Sequence, residues 1–512
     1  SVAIGASALL NQNFTSATDS YNVAVGTNAG LAVETGVQNV LIGGLAGDAL
    51  NGGGFSGATR LAGADYNVAI GTGALSSDRK GNTSVAIGQA ALGSQCLVSS
   101  TDTNNTAVGY AAGLNVTCGL QNTLIGSNSG FCLTIGQYNV ALGTCALYGM
   151  ISNSYSTAVG AFALRDTTGC NNTALGAYAG YQTGAGVNNV FIGEESAANN
   201  TSGSFNTAVG RLALYQNTTG CYNVAVGTDA MGNASGAAIT GHQNTAVGQS
   251  AIKCVTTGTC NTALGSSAMP AATTGASNVA IGAGALLKVS TGDFNVGVGL
   301  QAGCQITIGD NGTMIGNLAG KASSGGNNTF IGALSGYEMT TGGSNTFLGR
   351  WSGCQNGLDL RTASNYIVLS DGAGCPRAWL KDNGDMVVPR VYAQTTGTAA
   401  NVAVLSSGVI ARSTSSLRYK NTVQDATHGL ADLLNLRSVT FKNNNDGDTV
   451  FGGLIAEEVH DAGLTEFVQY NDEGEPDALA YGNIVSLCIK AIQELKVELN
   501  AAQAAIEELQ NP

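Results

Sequence analysis

A chain of 512 residues with net charge −13 and only 10% charged side chains offers none of the clustered Lys and Arg that a nucleic-acid groove needs, which argues against a nucleic-acid partner. No run of about 18 apolar residues occurs, so membrane insertion by a spanning helix is not expected. With 74 glycines and so little charge, the composition fits a close-packed repetitive rod better than an ordinary globular enzyme.

Between residues 1 and 349 the pattern Asn-x-x-aliphatic-Gly-x-x-small recurs twenty times, as in NVAVGTNA from Asn22, NTLIGSNS from Asn122, NTAVGRLA from Asn206 and NTFLGRWS from Asn345. Successive copies lie 17 residues apart in 13 of 19 intervals and 16 apart in two; three intervals are 21 and one is 28. A period this short cannot enclose its own core. It predicts one coil of a parallel β-solenoid, each coil burying its apolar face by stacking on its neighbours, with extra residues leaving as loops.

The eight positions carry separate demands. Position four is Ile, Val or Leu and position five is Gly in every copy, so the Gly is expected to end a short strand at a positive φ or a close approach. Position eight is always Ala or Ser, as at Ala8, Ala29, Ser129, Ala213 and Ser352, which predicts close contact between two strands or two chains. Position one is Asn in 16 copies and Ser in three, with Asn311 one residue early in the remaining one. Stacked about 4.8 Å apart, these amides are expected to form a hydrogen-bonded ladder. Positions two and four share one strand face and position three the other. Neither face is strongly polar, so both are expected to be covered, the second by copies of the same chain.

These NVAIG and NTAVG units resemble the YadA-like head repeats of trimeric autotransporter adhesins, which also occur in viral tail fibres. The resemblance covers about residues 1–355 and implies a left-handed parallel β-roll, three of which associate about a common axis.

Twelve Cys residues are scattered without a CxxC spacing, so neither a metal site nor a cofactor is expected. Cys170 and Cys221 share a repeat position three coils apart, roughly 14 Å by strand spacing and too far to bridge. The cysteines are read as buried small hydrophobes, with disulfides between neighbouring coils or chains as the alternative. Ser1 opens inside a repeat without an initiator Met, so the chain is expected to be a fragment or processed product lacking an N-terminal attachment region.

After Ser352 the repeat dissolves. NYIVLSDGAG from Asn365 reads as a degenerate last coil, and residues 356–414 as a β-rich neck of short strands. Charge density rises near Arg418, where an α+β module begins: HGLADLLNLRSVTFK predicts a helix then a strand, and FGGLIAEEVHDAG a strand then a helix. Val485, Cys488, Ile492, Leu495, Leu499, Ala502, Ile506 and Leu509 recur with 3-4 spacing, read as the seam of a parallel coiled coil over residues 484–510, with an amphipathic helix docked on its own domain as the alternative.

SSLRYKNTV at Ser415, LLNLRSVTFK, FGGLIAEEV and IVSLCIKAIQELKVEL resemble, in order, the endosialidase-type intramolecular chaperone that ends many phage tail spikes and fibres. The resemblance covers residues 415–512 and implies a module that trimerises, templates the folding of the fibre and then cuts itself off. The family motif Ser-Asp-x-Arg-x-Lys falls on Ser415, Ser416, Leu417, Arg418, Tyr419 and Lys420. It implies cleavage between Thr414 and Ser415, with Ser415 as nucleophile and Lys420 as general base; Ser416 departs from the usual Asp and is a secondary candidate nucleophile. A Lys can take the Ser proton only where burial leaves it neutral.

Other candidates read as structural. His428 and His460 are taken as surface or helix-cap residues, Glu457 and Glu458 as the acidic first turn of a helix, and DNGD at Asp382 as a turn in preference to a calcium loop, for which the remaining ligands are lacking. The expected molecule is a homotrimeric viral tail fibre or spike, extracellular on the virion. It binds a host surface receptor, glycans among the candidates, through the loops of the long intervals. Single-turnover self-cleavage is its one expected enzymatic activity. Alternatives are a bacterial trimeric surface adhesin, a polysaccharide-degrading tail spike, for which adjacent Glu194 and Glu195 would point to opposite faces of a continued strand, and an ice-binding rod, which lacks a regular Thr-x-Thr face.

Overall fold

The computed structural model describes residues 1–512 apart from 15–16, 52–54, 57–58, 61–62, 234–235, 308, 389–401, 405–409, 413–419, 443–447, 472 and 512. It comprises two compact units, Ser1–Ala393 and Gln394–Pro512.

The first unit is a parallel β-solenoid of about 21 coils. Each coil contributes one three-residue strand, from Val2–Ile4 to Thr346–Leu348, paired in register with the next. The predicted degenerate coil is real: Ile367–Ser370 adds in parallel to Thr346–Leu348. Antiparallel strands Pro376–Leu380 and Met386–Val387 then close that end. Register survives the insertions, Val40 facing Val68 across the 28-residue interval and Val85 facing Thr106 across a 21-residue one.

The repeat explains each strand. Position three points into the coil and is fully buried, as at Ala24, Leu41, Ala107 and Phe191. Position eight faces it from the opposite wall, Ala46, Ala213 and Ser129 being equally buried, so the small side chain is demanded by the interior of one chain. Position nine completes the core with a Leu, Met or Ile or, where space is short, with Gly or Ala197. Phe330, Phe347 and Trp351 fill the last coils as an aromatic plug, with ring centroids 4.9 and 4.8 Å apart.

The position-five glycines adopt φ between 104° and 140°. A Cβ on Gly126 would lie 2.5 Å from the carbonyl oxygen of Gly143 in the next coil, and the same holds for Gly26 against Gly43. Only Gly admits that approach. Each coil also carries left-handed residues that are not Gly, such as Phe205, Leu212 and Leu214 with φ of 55–59°. This conformation costs roughly 1–2 kcal/mol per residue. It turns peptide planes along the stack, so that the Leu214 N–H donates to Ala230 O and the Leu212 N–H to Glu194 O.

The Asn ladder forms as expected. Asn261 donates its backbone N–H and its side-chain amide to Asn244 Oδ1, both at 3.1 Å, and donates the amide also to Gly275 O at 2.7 Å. Asn278 repeats the arrangement on Asn261. Every amide is fully buried, where an unmade bond would cost about 1–3 kcal/mol.

In the second unit, α1 (Leu430–Leu434) leads to an antiparallel pair, Val439–Lys442 with Val450–Gly453, then to α2 (Ala456–Asp461), a second pair, Val468–Tyr470 with Pro476–Leu479, and α3 (Tyr481–Gln510). Val459, Leu464, Phe467, Val468, Ile484 and Leu487 form its core. Both predicted helix and strand pairs are present.

Candidate functional site

Thr414, Ser415 and Ser416 lie outside the described residues, and so does their geometry toward Lys420, which is exposed. The described residues define three other surfaces.

The first is the outer face of the strand stack. Position four projects away from the coil interior, leaving Leu175 and Leu264 each 49% exposed and Ile42 37% exposed, in a column with Ile125, Ile281, Ile315, Ile331 and Leu348. Position-two Val and Thr run beside it, mostly half-buried. Within one chain, therefore, one strand face is covered and the other is a continuous aliphatic stripe.

The second is α3. Ile484, Leu487 and Ala491 dock it on its own unit, whereas Val485, Ile492, Leu495, Leu499, Ile506 and Leu509 are exposed. The predicted seam is thus distinct from the docking face, except that Cys488 packs against the core. Every residue of α3 beyond Glu494 is exposed, and an isolated helical stretch of this length is marginal in water.

The third lies on the long intervals. Around the 223–244 interval a cleft of about 180 Å³ is lined by Leu212, Tyr215, Gln216, Asp229, Gly232, Asn233 and Gly236. Asp229 is paired with Lys253 at 3.3 Å. Its amphipathic lining could not be anticipated from the repeat pattern.

The remaining sequence candidates resolve locally. Glu457 and Glu458 stand in the first turn of α2, and Glu458 pairs with Arg437, whose guanidinium is held above its ordinary range by that carboxylate. The DNGD segment is a turn, with the Lys381 N–H donating to Asp385 O at 2.9 Å. His460 Nδ1 meets Tyr470 Oη at 2.9 Å. His428 lies between Asp432 at 3.3 Å and Glu466 at 3.6 Å, partners that sequence spacing did not reveal. The strand before Glu194 ends at Ile192, and Glu194 pairs with Arg211 at 3.2 Å. The two glutamates therefore sit in a turn and not on opposite faces of a strand.

The cysteines need correction. Cys304 is buried, but Cys118 and Cys260 are exposed and the others half-buried, all as free thiols. Apart from Cys304, the cysteines of the coils lie outside the fully buried interior, which positions three, eight and nine already fill. Among the described residues no group of three or more His, Cys, Asp or Glu is placed to hold a metal ion, and no helix is long and apolar enough to cross a membrane. Comparison with protein-family models, with curated proteins and with solved structures finds no match.

Proposed function

We propose that this chain is the shaft and folding module of a homotrimeric extracellular fibre or spike of viral type, built from left-handed YadA-like rolls. The observation that carries the reading is the aliphatic position-four column, a continuous apolar stripe that a single chain leaves in water. Its repetition on every coil suits a partner with the same repeat, which is a second and third copy of the chain. The bare seam of α3 supports the same stoichiometry, since a Leu- and Ile-rich 3-4 pattern is satisfied by parallel helices. Residues 415–512 then act as an endosialidase-type chaperone that brings three chains into register before the long repeat can mispair. The interval loops, including the cleft beside Tyr215, are the surface offered to a host receptor, and attachment to a tail or capsid lies N-terminal to the coils.

Sedimentation equilibrium tests the assembly: a trimer mass is expected, with Leu264→Lys/Ile281→Lys shifting it toward monomer. A folded wild-type monomer at micromolar concentration would refute the reading. The cut is a separate claim. Intact-mass measurement of denatured protein is expected to give fragments of 414 and 98 residues, and Ser415→Ala or Lys420→Ala to keep the chain whole. One full-length species after long incubation of the wild type would leave the fibre without the peptidase.

A further inference from the structure

We propose that Cys96 and Cys118 are the two halves of a redox-formed disulfide that staples adjacent coils of the solenoid. The Cys96 N–H donates to Thr117 O at 3.1 Å. Thr117 is bonded to Cys118, so this hydrogen bond brings Cys96 and Cys118 together on adjacent coils, whose spacing is about 4.8 Å. Disulfides bridge Cα atoms about 4.4–6.8 Å apart. The Cys118 thiol is turned toward Cys96, its Sγ 4.0 Å from the Cys96 carbonyl oxygen.

The location gives the staple a purpose. Here Ser84 replaces Asn in the amide ladder, and a substitute network stands in its place. Gln95 donates to Asp78 Oδ2 at 2.6 Å and to Ser84 Oγ at 2.9 Å, and accepts from Asn105 at 3.0 Å. The 21-residue interval from Ser84 to Asn105 also leaves the coil here, with Val98 largely in solvent. A covalent link between residues 96 and 118 closes a loop around that insertion and secures the coil where the regular ladder is interrupted.

A small-molecule disulfide such as oxidised glutathione supplies the oxidant. The exposed Cys118 thiolate attacks one of its sulfurs, forming a mixed disulfide and releasing one glutathione thiolate. Cys96, as thiolate, then attacks Cys118 Sγ and displaces the second. Two protein thiols lose two electrons and two protons; the oxidant is reduced to two thiols.

The test incubates native full-length protein with oxidised glutathione, blocks remaining thiols with N-ethylmaleimide and digests with chymotrypsin, which cuts after Tyr110 and Leu114 between the two cysteines. The expected product is a peptide containing Cys96 linked to one containing Cys118, lighter by two hydrogens than the pair. Two of the twelve thiols escape alkylation, and chains oxidised in denaturant pair without this preference. Cys118→Ser, a substitution at an exposed site, should abolish the link and leave Cys96 alkylated. Finding both cysteines alkylated, or each carrying glutathione, in the native wild type overturns the proposal whatever the oligomeric state.

Discussion

A methyl group on Gly113 would stand 2.7 Å from Cδ1 of Leu124. The two residues occupy one volume of the core, and the exchange recurs along the solenoid. Position nine is large, as in Ala86 with Leu92 or Ala246 with Ile252, where position three is small both in its own coil and in the next; it is Gly at Gly30, Gly113 and Gly180, whose own coils carry Ala24, Ala107 and Ala174 but stack on Leu41, Leu124 and Phe191. Where position three is Leu or Phe, position nine is Gly or Ala, as in Leu41 with Gly47, Leu124 with Gly130, Phe191 with Ala197 and Phe330 with Gly336. The glycine here is a matter of space, because Leu92 and Leu147 take the same left-handed backbone with φ of 49° and 53°.

Gly113→Ala is therefore expected to cost about 1–3 kcal/mol by overpacking, and Leu124→Ala about 2–5 kcal/mol by leaving a cavity. Combined, they should cost clearly less than the sum. Melting of the four proteins in a double-mutant cycle checks this, and strict additivity would mean that the two sites do not share space.

The strand-end glycines should tolerate nothing. In Gly210→Ala the new methyl would sit 2.6 Å from Gly227 O at φ 131°, against backbone that cannot yield, and the loss is expected to reach about 3 kcal/mol or more. Gly73→Ala, with its nearest neighbour at 3.9 Å and φ 69°, should cost only about 1–2 kcal/mol. Equal midpoints in guanidinium would show that inter-coil contact is not what selects Gly.

Asn261→Ala removes the acceptor for two donors of Asn278 and the donor to Gly275 O. A loss of about 2–4 kcal/mol is expected from the buried groups left unpaired. Asn261→Ser should be milder, since Ser156 already fills this position and its hydroxyl accepts weakly from the Asn172 N–H at 3.4 Å. Hydrogen exchange should localise the loosening to the adjoining coils.

Burial pushes the Asp78 carboxyl above its ordinary range, although hydrogen bonds from Gln95 and the Gly81 N–H oppose the shift. The folded coil thus holds this proton more tightly than the unfolded chain. Stability from the group is greatest below the unfolded value near about 3.9 and falls as pH rises through the raised folded value. Acidifying from neutral pH should raise the melting temperature of the wild type more than that of Asp78→Asn. The opposite sign would mean that hydrogen bonding outweighs burial.

Overpacking should also separate neighbours. Ala213→Leu enters a fully buried wall and is expected to cost about 1–3 kcal/mol, whereas Leu212→Ala removes a half-buried side chain at the cleft and should cost less than about 1 kcal/mol. Thermal midpoints of the two variants decide it.

The solenoid, its in-register coils, the strict Gly and the Asn ladder were legible in the sequence, because a period of 17 residues leaves one way to bury apolar side chains and one way to pair buried amides. After residue 428 the first helix and strand, the strand and helix that follow and the terminal helix were legible for the same local reason, whereas the second antiparallel pair, Val468–Tyr470 with Pro476–Leu479, was not. The cysteine environment was not, since the pattern does not state that three other positions already fill the interior. The left-handed Tyr, Phe and Leu residues also carry no local mark, because their backbone is held by bonds to adjacent coils. The approach of Cys118 to Cys96, 22 residues apart and out of phase with the repeat, and the placement of His428 between Asp432 and Glu466 depend on where insertions and turns bring distant segments. Sequence periodicity fixes what repeats, while contacts made where the repeat is interrupted are decided only when the chain has folded back on itself.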